Sequence, residues 1–299
     1  MCLYLTTSKG LYKYNLKENI LIKIIGNWSK GLFKKPSKGF FGICEDNNKN
    51  QIITASREKF SIKNFYNKST DLLLHFYDPI NKIVVDKVAV KNIYDVHQIF
   101  YHNMKIYLTD TGKNRVQIYN CETKKIESFI DIGPNRNNYN HVNAIYVDKN
   151  KILIGLNNGN KENLKNAQII EIDPKNIANN NLDAFNVGKI IELKDIFHTH
   201  DIEKIGDDYF VSASEDGNLI SLNQLSAIKK LPIWTRGITK NKDYIFIGKS
   251  GIASRKLRHS RYYDGMVSVL SRNDLNLVNE LNIPKIGQLN DILYYESSK

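Results

Sequence analysis

Hydrophobic residues along this chain come in short runs broken by polar turns, and no stretch sustains the periodicity of a long amphipathic helix. The runs recur in a fixed order. A short motif opens each unit: a ring-bearing or polar residue, then a small residue or its equivalent, then Ile. Its copies are Phe41-Gly42-Ile43, His97-Gln98-Ile99, Asn143-Ala144-Ile145, His200-Asp201-Ile202, Arg236-Gly237-Ile238 and Asn290-Asp291-Ile292. A spacing of roughly 35 to 57 residues is that of stacked structural repeats. After each opening strand the sequence predicts a second, strongly apolar strand, at 51–56, 105–110, 151–156, 209–214 and 244–249. Third strands are expected at 72–77, 115–120, 168–173, 218–223 and 266–271, and outer fourth strands at 82–88, 125–130, 189–193 and 275–281. Turn residues such as Asn47-Asn48-Lys49-Asn50, Asp148-Lys149-Asn150 and Thr111-Gly112-Lys113-Asn114 separate them.

Four-stranded units repeated about six times without helices predict an all-β fold, a six-bladed β-propeller forming a single domain over residues 1–299. The last blade is expected to be shared between the ends. Residues 290–295 supply one strand, and 3–7, 11–15 and 19–25 supply three more, which would hide the edges that an open sheet exposes. Insertions at 159–182 and 251–264 blur the spacing and leave five or seven blades as alternatives.

Composition narrows the function classes. No run is long and apolar enough for a membrane helix. The residues after Met1 lack the basic and apolar regions of a secretory signal, so a cytoplasmic location is expected. The three cysteines, Cys2, Cys44 and Cys121, show no metal-binding spacing and are expected to be reduced thiols. A net charge of +12 favours anionic partners, although the lysines are scattered. The one basic cluster runs from Arg255 through Arg258 to Arg261, inside the second insertion. That segment is the handle for nucleic-acid binding, an expectation ranked below a small anionic substrate.

The opening strands of a propeller line its central channel, so the motif residues should ring one mouth. Residues two positions earlier share their side of the strand at about 7 Å. The resulting pairs are Asp95/His97, His141/Asn143, His198/His200, Trp234/Arg236 and Gln288/Asn290, which gather four of the seven histidines. Neutral imidazoles from separate blades suit a divalent metal, zinc or iron first and calcium as an alternative. On this reading His97, His141, Asn143 and His200 are metal ligands. His198, Arg236 and Asp95 are candidate catalytic groups, with His198 as general base or further ligand. Arg236, Asn290, Trp234 and Gln288 are the substrate contacts, with Arg236 clamping a carboxylate or phosphate. The alternative for the same residues is a polar channel lining that satisfies buried backbone groups.

The segment from His97-Gln98-Ile99 through Leu108-Thr109-Asp110-Thr111-Gly112-Lys113-Asn114-Arg115-Val116, with His141-Val142-Asn143-Ala144-Ile145, resembles the six-bladed propellers of the senescence-marker/gluconolactonase-like, NHL-repeat and streptogramin-lyase-like groups. The segment Thr235-Arg236-Gly237-Ile238 to Phe246-Ile247-Gly248-Lys249-Ser250 is similar to uncharacterised members. In gluconolactonase-like proteins the resemblance implies a metal held by Glu and Asn/Asp, whereas Phe41 stands at the first mouth position here. The histidine pattern is more similar to propeller lyases that hold a metal with imidazoles. The expected function is a metal-dependent lyase or hydrolase acting on a small anionic substrate. The rival is a non-catalytic propeller module that binds protein or RNA.

Overall fold

The computed structural model describes residues 1–26, 39–57, 70–133, 140–157, 166–177, 181–214, 216–231, 234–251 and 263–296. Each repeat becomes one antiparallel sheet, and six such sheets form the propeller. Blade I comprises Phe40–Asp46, Gln51–Arg57, Thr70–Asp78 and Ile83–Ile93. Blade II comprises Val96–His102, Lys105–Asp110, Arg115–Asn120 and Lys125–Asp131. Blade III comprises Val142–Val147, Ile152–Leu156, Ala167–Ile172 and Lys189–Leu193. Blade IV comprises Thr199–Ile205, Asp208–Ala213, Asn218–Ser221 and Ser226–Lys230. Blade V comprises Trp234–Lys240, Tyr244–Ser250, Gly265–Ser271 and Leu277–Ile283. Blade VI joins the two ends of the chain: Leu289–Tyr295 is its innermost strand, followed outward by Cys2–Thr7, Gly10–Asn15 and Ile20–Ile25.

The second strands are apolar on both sides because each sheet is covered on both faces. Ile152–Leu156 is buried at every position. The hydrophobic residues accordingly fall into six clusters, each filling the space between two neighbouring blades. Tyr4 and Leu11 of blade VI meet Phe40, Ile52 and Tyr77 of blade I in the cluster that closes the ring. Ladder bonds from Cys2 to Thr7 against Leu289 to Tyr295 join the two ends of the chain within blade VI.

Two additions depart from the expected plan. Leu182–Asp183, where the first insertion ends, pairs in parallel with Ile130 and Asp131 and gives blade II a fifth strand. The short helix Ala184–Val187 follows, capped by the Asp183 side chain, which accepts from Phe185 N at 3.0 Å. An insertion of blade III thus clasps the edge of blade II. The outer strand of blade IV, Ser226–Lys230, was not legible in the sequence because none of its five positions is buried. Much of the second insertion, including Arg255, Arg258 and Arg261, lies outside the described residues. Among the described residues no helix is long and apolar enough to cross a membrane.

The register of every innermost strand shifts at its motif. The breaks fall between Phe41 and Ile43, Val96 and Ile99, Val142 and Ala144, Thr199 and Asp201, Thr235 and Ile238, and at Asn290 against Thr6/Thr7. A β-bulge releases an extra residue from the ladder and re-aims its side chain. The middle motif residue then bridges blades. Gln98 accepts from Ile145 N at 2.6 Å and donates through Nε2 to Asp201 Oδ1. Asp201 also accepts from Ile202 N and from Ile238 N. Asp291 accepts from Ile43 N at 3.1 Å and Ile292 N at 2.8 Å. Burial raises the Asp201 carboxyl to about 7, and burial together with the nearby Asp201 charge raises Asp291 well above the usual range.

Where the middle residue is glycine, the neighbouring blade explains it. Gly237 has φ +77°, and a Cβ there would sit 2.7 Å from Ile292 N. Gly237→Ala is expected to lower unfolding free energy by about 3 kcal/mol, combining a left-handed alanine with crowding. Gly206, at φ +66° with nothing within 4 Å of an added Cβ, provides the control, with an expected cost of about 1 kcal/mol. Urea denaturation compares them, and equal losses would show that the approach of blade VI is not the constraint.

Candidate functional site

The bulges deliver the motif side chains to one end of the channel, and blade order divides that mouth into two halves. Blades II, III and IV contribute Asp95, His97, His141, Asn143, His198 and His200. Blades V, VI and I contribute Trp234, Arg236, Gln288, Asn290 and Phe41. The imidazoles converge from separate blades, with His97 and His141 ring centroids 5.1 Å apart and His97 and His200 centroids 6.1 Å apart. Asn143 Nδ2 lies 2.9 Å from His200 Nδ1 and donates to Thr199 O at 3.1 Å.

Burial sets the protonation of this cluster. Desolvation followed by the neighbouring His97 lowers His141 to about 3. Desolvation and then the Arg236 charge hold His200 well below the ordinary imidazole range. Desolvation also lowers His97, against the opposing pull of Asp95. All three rings are therefore neutral at pH 7, the form in which imidazole offers a lone pair. Burial alone would raise Asp95, but Arg57, then His97 and His141, outweigh it and keep the carboxylate ionised.

Arg57 was not among the sequence candidates. It ends the second strand of blade I and is buried, yet it pairs with Asp95 Oδ1 and lies over the Phe41 ring, 3.7 Å from its centroid. Asp95 and His141 both have left-handed backbones, with φ of 61° and 47°. Such conformations persist in non-glycine residues where surrounding structure holds them. The other half of the mouth bears on the imidazoles through the charge of Arg236. Arg236 is 6% exposed, with its guanidinium 5.5 Å from the Trp234 ring centroid. Asn290 Nδ2 donates to Phe40 O at 2.8 Å, which ties blade VI to blade I. Gln288 is fastened through its backbone, exchanging bonds with Ser8. Asp110 and Arg115, whose segment carried part of the resemblance, are held within blade II: Asp110 accepts from Tyr94 N, Gln117 Nε2 and Arg115 Nε.

Two observations bear on whether these residues fit a divalent metal. Three imidazoles on one Zn²⁺ place their ring centroids about 5 Å apart, given Zn–N bonds of about 2.0 Å and tetrahedral angles. The spacings of 5.1 and 6.1 Å are close to that. Asn143 Oδ1 is buried without a hydrogen-bond partner, an acceptor left open beside the rings. In the present rotamers, no group of three His, Cys, Asp or Glu among the described residues is set to hold a metal. The donor types and the ring spacing are compatible with such an ion, although the side chains as placed do not form a ligand set.

No family model matches the chain, and no curated protein matches it. Among solved structures, a chain in the crystal structure of a nidogen/laminin complex aligns with a TM-score of 0.62 at 10% identity, covering 98% of this chain and 97% of that one. This chain is a β-propeller. The crystal structure of the computationally designed Ika8 protein aligns with a TM-score of 0.44 at 10% identity, covering 97% of this chain and 79% of that one. At 10% identity the likeness to the nidogen/laminin chain concerns architecture alone.

The depressed histidines set an acid limit. An imidazole whose folded value lies below its unfolded one contributes stability that is full above about pH 6.5 and lost as pH falls toward the folded value. For His141 that window runs from about 6.5 down to about 3. Replacing it by glutamine removes one such group, so between pH 6 and 5 the His141→Gln protein should lose about 1 kcal/mol less stability than the parent. Urea titrations at the two pH values measure this, and parallel losses would show that His141 titrates normally.

Proposed function

We infer that this propeller is a metal-dependent lyase or hydrolase that acts on a small anionic substrate at the histidine-lined mouth. The observation that carries the reading is the approach of three neutral imidazoles, His97, His141 and His200, from three separate blades at ligand-like spacing. These would hold the metal, with Asn143 Oδ1 as a further donor. Imidazole ligands favour zinc or iron, because calcium selects oxygen donors. When bound, such an ion polarises a carbonyl or makes its water a nucleophile near neutral pH.

The remaining residues take roles from their charge and placement. Arg236 brings positive charge to the mouth beside the Trp234 ring and orients the carboxylate or phosphate of the substrate. Asn290 and Gln288 complete the recognition half. His198, two residues ahead of His200 in the same half of the mouth, is the base that takes a proton from substrate or water. Asp95 suits a different role from proton transfer, because its carboxylate is committed to Arg57 and held ionised. The resemblance behind this reading is more to the histidine-bearing propeller lyases than to the gluconolactonase-like pattern, since Phe41 stands where the latter has an acidic residue.

Elemental analysis of the purified protein tests the reading. About one equivalent of zinc or iron is expected, and the His97→Ala/His200→Ala double variant should lose it while keeping its circular dichroism spectrum. Metal-free protein that also fails to take up either ion would overturn it. Salt-sensitive RNA binding lost on neutralising Arg255, Arg258 and Arg261 would instead support the non-catalytic module.

A further inference from the structure

Arg57 reaches across a blade boundary. It is 7% exposed, and a guanidinium removed from water needs several partners at once. Among the described residues it has three: the Phe41 ring, Val96 O at 2.7 Å from Nη2, and Asp95 Oδ1. Val96 and Asp95 stand immediately ahead of His97, so a blade I side chain grips the start of blade II. Asp95 occupies the left-handed region, with φ of 61°, and its second oxygen faces His97 Nε2 at 3.7 Å. Cation, carboxylate and imidazole thus form a line that ends in the mouth.

We propose that Arg57 is a positioning residue: it anchors the Asp95 carboxylate so that His97 carries its proton on Nε2 and presents the Nδ1 lone pair to a ligand in the mouth. The proposal rests on the mouth being a ligand site, and it assigns a regulator to the cluster's first histidine. A planar fork is needed because one guanidinium must lie on Phe41 while meeting a carbonyl and a carboxylate, which an ammonium cannot do. A carboxylate behind a ligating imidazole fixes both its tautomer and its orientation. A scaffolding role would be satisfied by Val96 O and the Phe41 ring alone. The link to Asp95 is what sets a carboxylate against His97 Nε2.

The test is nitrogen-15 NMR of the full chain labelled at histidine, free of metal, with His97 assigned by its loss in His97→Gln. The parent should show His97 mainly as the Nε2–H form. Arg57→Met should remove that preference, and a parallel titration with Zn²⁺ alone should show affinity about 10- to 100-fold weaker. An unchanged His97 tautomer in folded Arg57→Met, or a parent already in the Nδ1–H form, overturns the proposal. Should Arg57→Met fail to fold, Arg57→Gln keeps a donor for Val96 O without the charge and decides by the same signal. A tautomer that responds to Arg57 in a protein that binds no Zn²⁺ sustains the positioning role and removes the metal reading. Zn²⁺ binding with an unresponsive tautomer does the reverse.

Discussion

Burial between blades is the constraint on which the rest of this structure depends. Each sheet is apolar on both faces, so a single blade, or an open row of them, would leave two such surfaces in water. Only a closed ring covers all of them, and the six clusters between neighbours are the result. The clasp between Leu289–Tyr295 and Cys2–Thr7 matters for the same reason, because it completes the two interfaces around blade VI.

Closing the ring brings six innermost strands together at the axis, where their backbones would crowd one another and leave polar groups unpaired. The bulged motifs resolve both problems. Gln98, Asp201 and Asp291 reach to backbone N–H groups of other blades, while Gly42 and Gly237 make room for the strands beside them. The released residue one position earlier is then free to face the mouth. Each motif therefore divides its residues: in His200-Asp201-Ile202 the histidine faces the mouth, the aspartate ties blades together, and the isoleucine fills the interblade core.

The histidines could be located from the sequence because a repeat assigns each residue a place relative to an axis. Once His97, Asn143 and His200 held the same motif position, their convergence followed from the fold. Arg57 carried no such label. It ends a second strand, and only the packing of blade I against blade II sets it beside Asp95. The outer strand Ser226–Lys230 and the clasp Leu182–Asp183 were illegible for a different reason: their exposed positions leave no hydrophobic pattern. Asp201 and Asp291 read as variants of a small residue, and their bridging function became visible only with the neighbouring blade in place.

The sequence by itself determined the repeat, the order of the inner strands in each blade, the sharing of the last blade and the ring of motif residues, with six as its leading blade count, since hydrophobic runs, turns and spacing are local properties of the chain. Tertiary structure alone decided which groups touch across blades, which histidines lose their proton through burial, and which cation secures Asp95. Those properties depend on distance and desolvation between segments remote in the chain, and no local pattern encodes either.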